Sequence, residues 1–251
     1  MKTLDLTIIT GASRGIGRNI FNDLAPTSKN IIGIGSSEKI LELSLIGNAT
    51  PLRADLGDYN ATYYRTKELV EKFAPKTLGV VLCGAQLGEV GEGLDVNLEL
   101  WDRLYKVNIL GNLAIIQACK EFIKEGKTRI VWFGGGGAAS PFQFGGYASS
   151  KAAVVRAVEN LGVEFEKKEF DASIIALAPG AVETDMLAKV KIGGGTVKTL
   201  TDISEPTNFT RKFLTNEFDS KRLNGRFVHC RDTMNEMDWS KKDLLKLRRV
   251  E

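Results

Sequence analysis

The chain has 251 residues, a length typical of one large α/β domain. Hydrophobic residues make up 43% of it and charged residues 26%, which is ordinary for a soluble globular protein. The formal net charge of +3 is too small to indicate a nucleic-acid-binding protein, and no apolar run approaches the roughly 20 residues of a membrane span.

Cysteine and histidine usage restricts the chemistry further. Cys83, Cys119 and Cys230 are scattered, and an odd count without paired spacing argues against a disulfide framework and for a reducing compartment. His229 is the single histidine, which argues against a zinc site or a His-based catalytic triad and favours a structural role for it. The N-terminus shows no signal-peptide pattern. We therefore expect a cytoplasmic protein without a metal site.

Apolar, β-branched runs alternate with helical patterns along most of the chain. The predicted strands are Leu4–Thr10, Asn30–Gly35, Pro51–Ala54, Leu78–Cys83, Arg129–Phe133, Ala172–Ala178 and Arg226–His229. The predicted helices are Gly15–Leu24, Lys39–Leu45, Tyr59–Phe73, Leu98–Lys124, Tyr147–Glu166 and Glu205–Thr215. Such alternation predicts right-handed crossovers and a doubly wound parallel sheet, the Rossmann type of α/β fold, with ligands at the carboxyl ends of the strands.

The pattern predicts a single domain over residues 1–233. Lys189–Ser204 contains three consecutive glycines and little periodicity, so we expect a long mobile loop at about residues 186–205 that covers a substrate site. Residues 234–251 form a polar, charged C-terminal tail, for which an added helix is one interpretation.

A glycine-rich turn follows the first predicted strand and opens the first predicted helix. Gly11 permits a tight bend, Gly15 lets a ligand approach the backbone, and Gly17 lets the helix pack closely on the sheet. The N–H groups and partial positive charge of the helix N-terminus then suit a dinucleotide pyrophosphate. An ordinary turn is the alternative for this motif taken alone.

Residues at the ends of the next two strands indicate how a dinucleotide would be held. Ser36 and Ser37 follow the second strand where an acidic residue would select NAD, and Arg14 lies in the glycine turn. Hydroxyl donors with an arginine suit a 2′-phosphate, so the sequence favours NADP over NAD. Asp55, with Leu56 after it, is placed to accept from the adenine amino group, and a helix cap is an equally good interpretation of Asp55.

Tyr147 and Lys151 are four residues apart, which places both side chains on one face of a helix. A neighbouring ammonium favours a phenolate, so we expect the pKa of Tyr147 to be lowered towards neutral pH. With the glycine turn upstream, this pair indicates acid–base chemistry beside a dinucleotide.

Together these motifs resemble the short-chain dehydrogenase/reductase family over about residues 4–230. The resemblance rests on Thr10–Gly17, Asp55-Leu56, Lys106–Asn108, Tyr147 with Lys151, and Pro179–Thr184. The end of the second strand is similar to that of NADP-dependent 3-oxoacyl carrier-protein reductases. A hydride-transferring oxidoreductase that interconverts a carbonyl and a secondary alcohol is what this resemblance implies, with NADP as its cofactor.

The resemblance also implies roles for single residues. Tyr147 would transfer the proton, Lys151 would bind the nicotinamide ribose, and Asn108 would hold a relay water, although a helix kink is the structural alternative for Asn108. The implied cofactor contacts are Gly11, Ser13, Arg14, Gly15, Ile16, Gly17, Ser36, Ser37, Asp55, Leu56, Gly84, Ala85, Asn108, Tyr147, Lys151, Pro179, Gly180, Val182 and Thr184.

Two positions depart from the family pattern. Cys83–Gln86 stands where Asn-Asn-Ala-Gly is usual, so asparagine contacts to the central sheet should be lost. The catalytic serine is expected thirteen residues before Tyr147, where this chain has Gly134 in a run of four glycines. A backbone N–H of this run, Ser140, or a donor on the substrate could take the place of the serine.

Several functions remain open at this point. The resemblance implies a small carbonyl or alcohol as substrate, and a sugar is one candidate because the glycine run leaves room and backbone donors. A sugar-modifying enzyme that couples oxidation to dehydration or epimerisation is an alternative, and a non-catalytic NADP-binding protein is another because of Gly134. The family also implies a homodimer or homotetramer.

Overall fold

The computed structural model describes residues 3–89, 95–135, 138, 144–197 and 199–233. Within these residues, seven parallel strands form one sheet in the order β3-β2-β1-β4-β5-β6-β9. They are β1 (Leu4–Thr10), β2 (Ser28–Gly35), β3 (Ala49–Arg53), β4 (Thr77–Leu82), β5 (Lys127–Phe133), β6 (Ala172–Ala178) and β9 (Arg226–His229). A separate two-stranded pair joins β7 (Ala181–Val182) and β8 (Leu200–Thr201).

Helices cover both faces of the sheet, as the nearly continuous apolar strands predict. They are α1 (Gly15–Leu24), α2 (Tyr59–Phe73), α3 (Leu98–Tyr105), α4 (Asn112–Ala118), α5 (Lys120–Glu125), α6 (Gly145–Lys167), α7 (Asp185–Ile192), α8 (Ser204–Leu214) and α9 (Ser220–Leu223). Short 3₁₀ helices cover Ala25–Thr27 and Glu38–Leu45. The predicted doubly wound α/β fold is therefore confirmed. None of the helices in the described ranges combines the length and apolarity needed to cross a bilayer.

Two hydrophobic cores lie on opposite sides of the sheet. On one side α2, α4 and α6 pack around Val70, Ile115 and Val154. On the other side α1 and α8 contribute Phe21 and Phe213, and both side chains are fully buried. The order of the strands reverses between β1 and β4, and the turns that follow these two strands meet at the carboxyl edge. That reversal is where ligands of open α/β sheets bind.

The structure corrects the prediction of one long helix over Leu98–Lys124. A π-helical turn at Lys106–Gly111 separates α3 from α4, and a break at Cys119 separates α4 from α5. The turn is held by tertiary contacts, because a Cβ on Gly111 would lie 2.2 Å from the carbonyl oxygen of Leu56. Such an insertion into a helix is frequent at functional sites.

The prediction of a long irregular loop at Lys189–Ser204 is also wrong in part. The hydroxyl oxygen of Thr184 accepts a hydrogen bond from the N–H of Leu187 at 3.3 Å and thereby caps α7, which continues to Ile192. Leu200–Thr201 then forms β8 against β7. The predicted loop therefore contains the last turn of a capped helix and one strand of a two-stranded pair. Residues 234–251 lie outside the described residues.

Candidate active site

The glycine turn forms a cradle at the carboxyl end of β1. Gly11 and Gly15 have φ values of +71° and +57°, a region that side chains disfavour. A Cβ on Gly17 would lie 2.4 Å from the carbonyl oxygen of Gly11, and a Cβ on Gly11 would lie 2.9 Å from the Cα of Gly84. The backbones of the turns after β1 and β4 therefore lie in direct contact, and the N-terminus of α1 opens beside them. This geometry fits a pyrophosphate.

A buried hydrogen-bond network joins the two turns and replaces the asparagine contacts that we expected to be lost. The Thr10 hydroxyl donates to Oδ1 of Asn112 at 2.9 Å and accepts from the N–H of Gly84 at 2.9 Å. Nδ2 of Asn112 donates to the carbonyl of Gly84 at 2.9 Å. Our sequence reasoning missed Asn112, whose only local signal is its position four residues after Asn108. The backbone turn at Gly84 is thus held from α4.

The second and third strands end beside a cavity of about 290 Å³. Its lining includes Ser36, the acidic residues Asp55 and Asp58, and two arginines that the sequence reasoning missed, Arg53 and Arg65. Nε of Arg53 donates to the Ser36 carbonyl at 3.4 Å, and its Nη1 lies 3.1 Å from Glu38. Ser37 directly precedes the 3₁₀ helix that follows. Positive charge at the end of β2 therefore comes from β3 and α2.

The structure brings Ser13, but not the guanidinium of Arg14, to this strand end. A Cβ on Gly35 would lie 2.2 Å from the Ser13 hydroxyl, so Ser13 stands directly over the end of β2. Nη1 of Arg14 instead lies 2.9 Å from Asp185 at the start of α7, and both side chains are largely exposed. The turn after β1 is therefore linked electrostatically to the helix that follows Thr184.

Asp55 is engaged by α3. Nη2 of Arg103 lies 2.7 Å from both carboxylate oxygens of Asp55, and the N–H of Gly57 also donates to it at 2.9 Å. Burial opposes ionisation, but these hydrogen bonds outweigh it and lower the pKa of Asp55. The carboxylate is held in place, and Leu56 follows it in contact with Gly111.

Tyr147 and Lys151 share one face of α6, as predicted. Nζ of Lys151 donates to the carbonyl of Phe133 at 2.7 Å and lies 5.4 Å from the centre of the Tyr147 ring. The lysine is almost fully buried, and burial lowers its pKa to about 8. No described residue hydrogen-bonds the hydroxyl of Tyr147. The phenol is therefore available to a ligand, with an anchored ammonium beside it.

The expected lowering of the pKa of Tyr147 is not what the structure shows. Burial raises the pKa of Tyr147 above its usual range, and the neighbouring Cys83 acts in the same direction. Burial also raises the pKa of the Cys83 thiol, to about 12. Desolvation is the larger cause, so the phenol is protonated at neutral pH.

The position that faces the phenol is Gly135, not Gly134. A Cβ on Gly135 would lie 3.4 Å from the Tyr147 hydroxyl and 3.9 Å from Cγ of Lys151, whereas a Cβ on Gly134 would lie 3.0 Å from the ring of Phe227. The N–H of Gly134 donates to Leu177, which continues the pairing of β5 with β6 past the strand end and turns Gly134 away from the site. Ser140 lies outside the described residues.

Asn108 fastens the segment after β4 to α6. Its Oδ1 accepts from the N–H of Gln86 at 2.7 Å, and its Nδ2 donates to the Gln86 carbonyl at 2.9 Å and to the Ser150 hydroxyl at 3.0 Å. Asn108 lies in the π turn, so the kink that we considered as its structural role is present. The water relay stays a prediction.

The segment Pro179–Thr184 approaches the glycine turn from the other side. Gly180 has φ of +72°, and a Cβ on it would lie 2.0 Å from the Thr201 hydroxyl and 3.3 Å from Nε2 of His229. The methyl group of Thr184 would lie 3.4 Å from a Cβ on Gly15. Val182 is buried in β7. The structure thus assembles the sequence-predicted groups along one edge, from β2 to the turn after β6.

Comparison with known proteins gives consistent matches. A family model described as short chain dehydrogenase matches residues 5–193. A short-chain type dehydrogenase/reductase from Picea abies is 30% identical over 196 residues, which cover 72% of each chain. Versicolorin reductase 1 from Dothistroma septosporum is 26% identical over 194 residues, covering 74% of this chain and 72% of that one. The structure of a short chain dehydrogenase from Burkholderia cenocepacia in complex with NADP is similar in fold, with a TM-score of 0.74 at 21% identity over 89% of this chain and 94% of that one.

Proposed function

The chain belongs to the short chain dehydrogenase family, and from this premise we propose that it is an NADP-dependent oxidoreductase that interconverts a carbonyl and a secondary alcohol. One observation carries the proposal. The Tyr147 hydroxyl is open to a ligand beside the buried Lys151 ammonium, at the same sheet edge as a glycine cradle that fits a pyrophosphate. A bound nicotinamide dinucleotide supplies or accepts the hydride in such chemistry.

The chain's own residues would hold the dinucleotide along this edge. The cradle would take the pyrophosphate, Asp55 and Leu56 the adenine, Lys151 the nicotinamide ribose, and Thr184 the carboxamide. The other cofactor contacts that we propose are Gly11, Ser13, Arg14, Gly15, Ile16, Gly17, Ser36, Ser37, Gly84, Ala85, Asn108, Tyr147, Pro179, Gly180 and Val182.

The phosphate preference rests on the end of β2. A 2′-phosphate beside Ser36 would replace the Glu38 carboxylate as the partner of Arg53, because phosphate offers a bidentate, charge-assisted contact to a guanidinium. The Arg14–Asp185 pair is exposed, and exposed ion pairs contribute only about 0–1 kcal/mol. Arg14 is therefore free to turn towards the phosphate as well.

Proton transfer falls to Tyr147. Its raised pKa keeps the phenol protonated near neutral pH, where it can donate to a carbonyl oxygen as hydride arrives at carbon. In the reverse reaction it must first lose its proton, so alcohol oxidation should need higher pH. Lys151 uses one of its three donors on the Phe133 carbonyl, which orients the ammonium and leaves two donors for ligands.

A non-catalytic NADP-binding protein is the second candidate, and Gly135 is the observation in its favour. In members of this family a serine hydroxyl polarises the substrate carbonyl, and here the residue that faces the phenol has no side chain. Removal of one such donor typically costs about 3 kcal/mol of transition-state stabilisation, which slows an enzyme but leaves it measurable. The intact Tyr147 and Lys151 favour the enzyme.

Replacement of Tyr147 by phenylalanine tests the proposal. We expect Tyr147→Phe to abolish carbonyl-dependent oxidation of NADPH and to leave the dissociation constant for NADPH within about twofold of the wild type, because the phenol moves a proton and contributes little to binding. Tyr64→Phe, at a largely exposed position on α2, is the matched control. Retention of most activity in Tyr147→Phe would refute the proton-transfer role. A wild type that binds NADPH but turns over no carbonyl compound would establish the binding protein.

A further inference from the structure

A second cavity lies beside Tyr147, on the side of α3. Its volume is about 60 Å³. Its walls come from the segment after β4, from α3 and from the first turn of α6. The lining residues are Leu87, Gly88, Glu89, Asp95, Val96, Asn97, Leu100, Trp101, Leu104, Gly145, Gly146 and Tyr147. Because Tyr147 is one of the lining residues, a molecule that enters the cavity would lie beside the residue that carries the proton donor.

One wall of this cavity is apolar and built around Trp101. A Cβ on Gly146 would lie 3.0 Å from the indole, so the pair Gly145-Gly146 is what lets Trp101 pack against the start of α6. Leu104 is held in the same way, because a Cβ on Gly88 would lie 2.7 Å from its Cδ1. Leu87 and Leu104 are buried, while Leu100 is 40% exposed and offers its surface to the cavity. An aromatic and aliphatic wall of this kind matches a flat apolar group.

The polar part of the lining carries charge of only one sign. Glu89 and Asp95 contribute carboxylates, and the described lining includes no lysine, arginine or histidine. The basic groups of α3 and of the start of the π turn already have acidic partners, since Arg103 pairs with Asp55 and Lys106 pairs with Asp102. An anionic substrate would therefore meet uncompensated negative charge at this entrance.

We propose that the substrate is an uncharged ketone or alcohol with a flat apolar ring, that an edge of this ring enters the cavity against Trp101 and Leu100, and that Glu89 and Asp95 exclude carboxylate- and phosphate-bearing compounds. This inference rests on the proposed function, because it names the substrate class for Tyr147. It separates this chain from reductases of phosphate-bearing acyl thioesters, which its second-strand end resembles.

The proposed exclusion of anionic substrates is tested with two ketones of nearly the same shape. We expect kcat/KM for methyl 4-acetylbenzoate to exceed that for 4-acetylbenzoate by at least about tenfold at low ionic strength, and added salt to reduce the ratio. The double variant Glu89→Gln/Asp95→Asn should lower the ratio several-fold. Glu99→Gln, an acidic residue of α3 outside the lining, is the matched control and should leave it unchanged. Equal kcat/KM for the two ketones in the wild type would overturn the charge argument.

The proposed contact between the substrate ring and the apolar wall is tested by substitution of Trp101. Trp101→Ala should raise KM for acetophenone about tenfold and leave the dissociation constant for NADPH unchanged, and Trp101→Phe should restore most of the loss. Leu98→Ala, 75% exposed on the same helix and outside the lining, is the control. An unchanged KM in Trp101→Ala would overturn the inference.

Ligand-observed NMR on the NADP-loaded protein separates this inference from the proposed function. If no ketone is reduced, binding of acetophenone that is lost in Trp101→Ala supports the cavity while the proposed reaction fails. If ketones are reduced but acetophenone binding and turnover are indifferent to Trp101, the reaction stands and the substrate class is wrong.

Discussion

A serine in place of Gly135 should add a hydrogen-bond donor where no described side chain supplies one. The Cβ of the new residue would lie 3.4 Å from the Tyr147 hydroxyl, so its Oγ could reach a carbonyl oxygen that the phenol also contacts. One preorganised donor of this kind stabilises a transition state by about 3 kcal/mol, a hundred- to thousandfold effect on rate. We expect Gly135→Ser to raise kcat/KM for a simple ketone by up to this factor.

The same substitution should lower stability. Gly135 has φ of +157°, a conformation that residues with side chains rarely adopt, and such strain costs on the order of 1–3 kcal/mol. The strain is present in the free enzyme and in the transition state alike, so it reduces the free energy of unfolding without cancelling the kinetic gain. Kinetics and thermal unfolding measured on the same preparation separate the two effects.

Two further variants decide whether the added hydroxyl is responsible. Gly135→Ala carries the same backbone strain without a donor and should lose stability without gaining rate. Gly134→Ser places its side chain 3.0 Å from the Phe227 ring, away from the phenol, and should not accelerate the reaction. An equal rise in kcat/KM in Gly135→Ala, or a rise in Gly134→Ser instead, would refute the assignment of Gly135 as the position that faces the reacting carbonyl.

Four other predictions concern the cofactor, the pH dependence of activity and of stability, and a buried asparagine. Arg53→Gln should weaken NADPH binding roughly tenfold and leave NADH binding unchanged, as calorimetry would measure. Carbonyl reduction should fall as the pH rises through about 8, where buried Lys151 loses its proton, while alcohol oxidation should rise with pH as Tyr147 deprotonates. Because the folded-state pKa of Lys151 lies below its ordinary 10.5, Lys151 itself should add to the free energy of unfolding as the pH rises from about 8 to 10.5, so without cofactor the free energy of unfolding of the wild type should gain on that of Lys151→Met across this range. Asn112→Ala should destabilise the protein by about 2–4 kcal/mol in denaturant titrations, against little change for the exposed Asn60→Ala.

Much of the fold could be predicted because its signals are local. The bounds of Leu4–Thr10, Gly15–Leu24 and Ala172–Ala178 follow from apolar runs and a glycine turn, and the structure has the same bounds. The π turn could not be predicted in this way, because it depends on the contact of Gly111 with Leu56, far away in the sequence. The start of α7 could have been predicted, since threonine is a common N-cap residue and Thr184 directly precedes the helix.

For the candidate site, too, local signals could be predicted from the sequence and long-range geometry could not. Residue types indicated Tyr147, Lys151 and the glycine cradle, and the structure brings them to one edge. The direction in which side chains point was not predictable. Arg14 turns to Asp185 on a helix 171 positions away, and Arg53 reaches the end of β2 from the neighbouring strand. The distinction between Gly134 and Gly135 depends on where β5 stops pairing with β6, which a count back from Tyr147 does not determine.

The two departures from the family pattern have different consequences, because the lost groups had different tasks. An asparagine that ties a turn to the sheet needs only a donor and an acceptor in roughly the right place, and Asn112 with Thr10 supplies both from another helix and strand. A hydroxyl that polarises a reacting carbonyl must lie within hydrogen-bond distance of an atom that the phenol also contacts. Gly135 occupies such a position, and it has no side chain to offer. The fold therefore tolerates the loss of the asparagine, while the rate on a given ketone should depend on which group polarises the carbonyl in place of the serine.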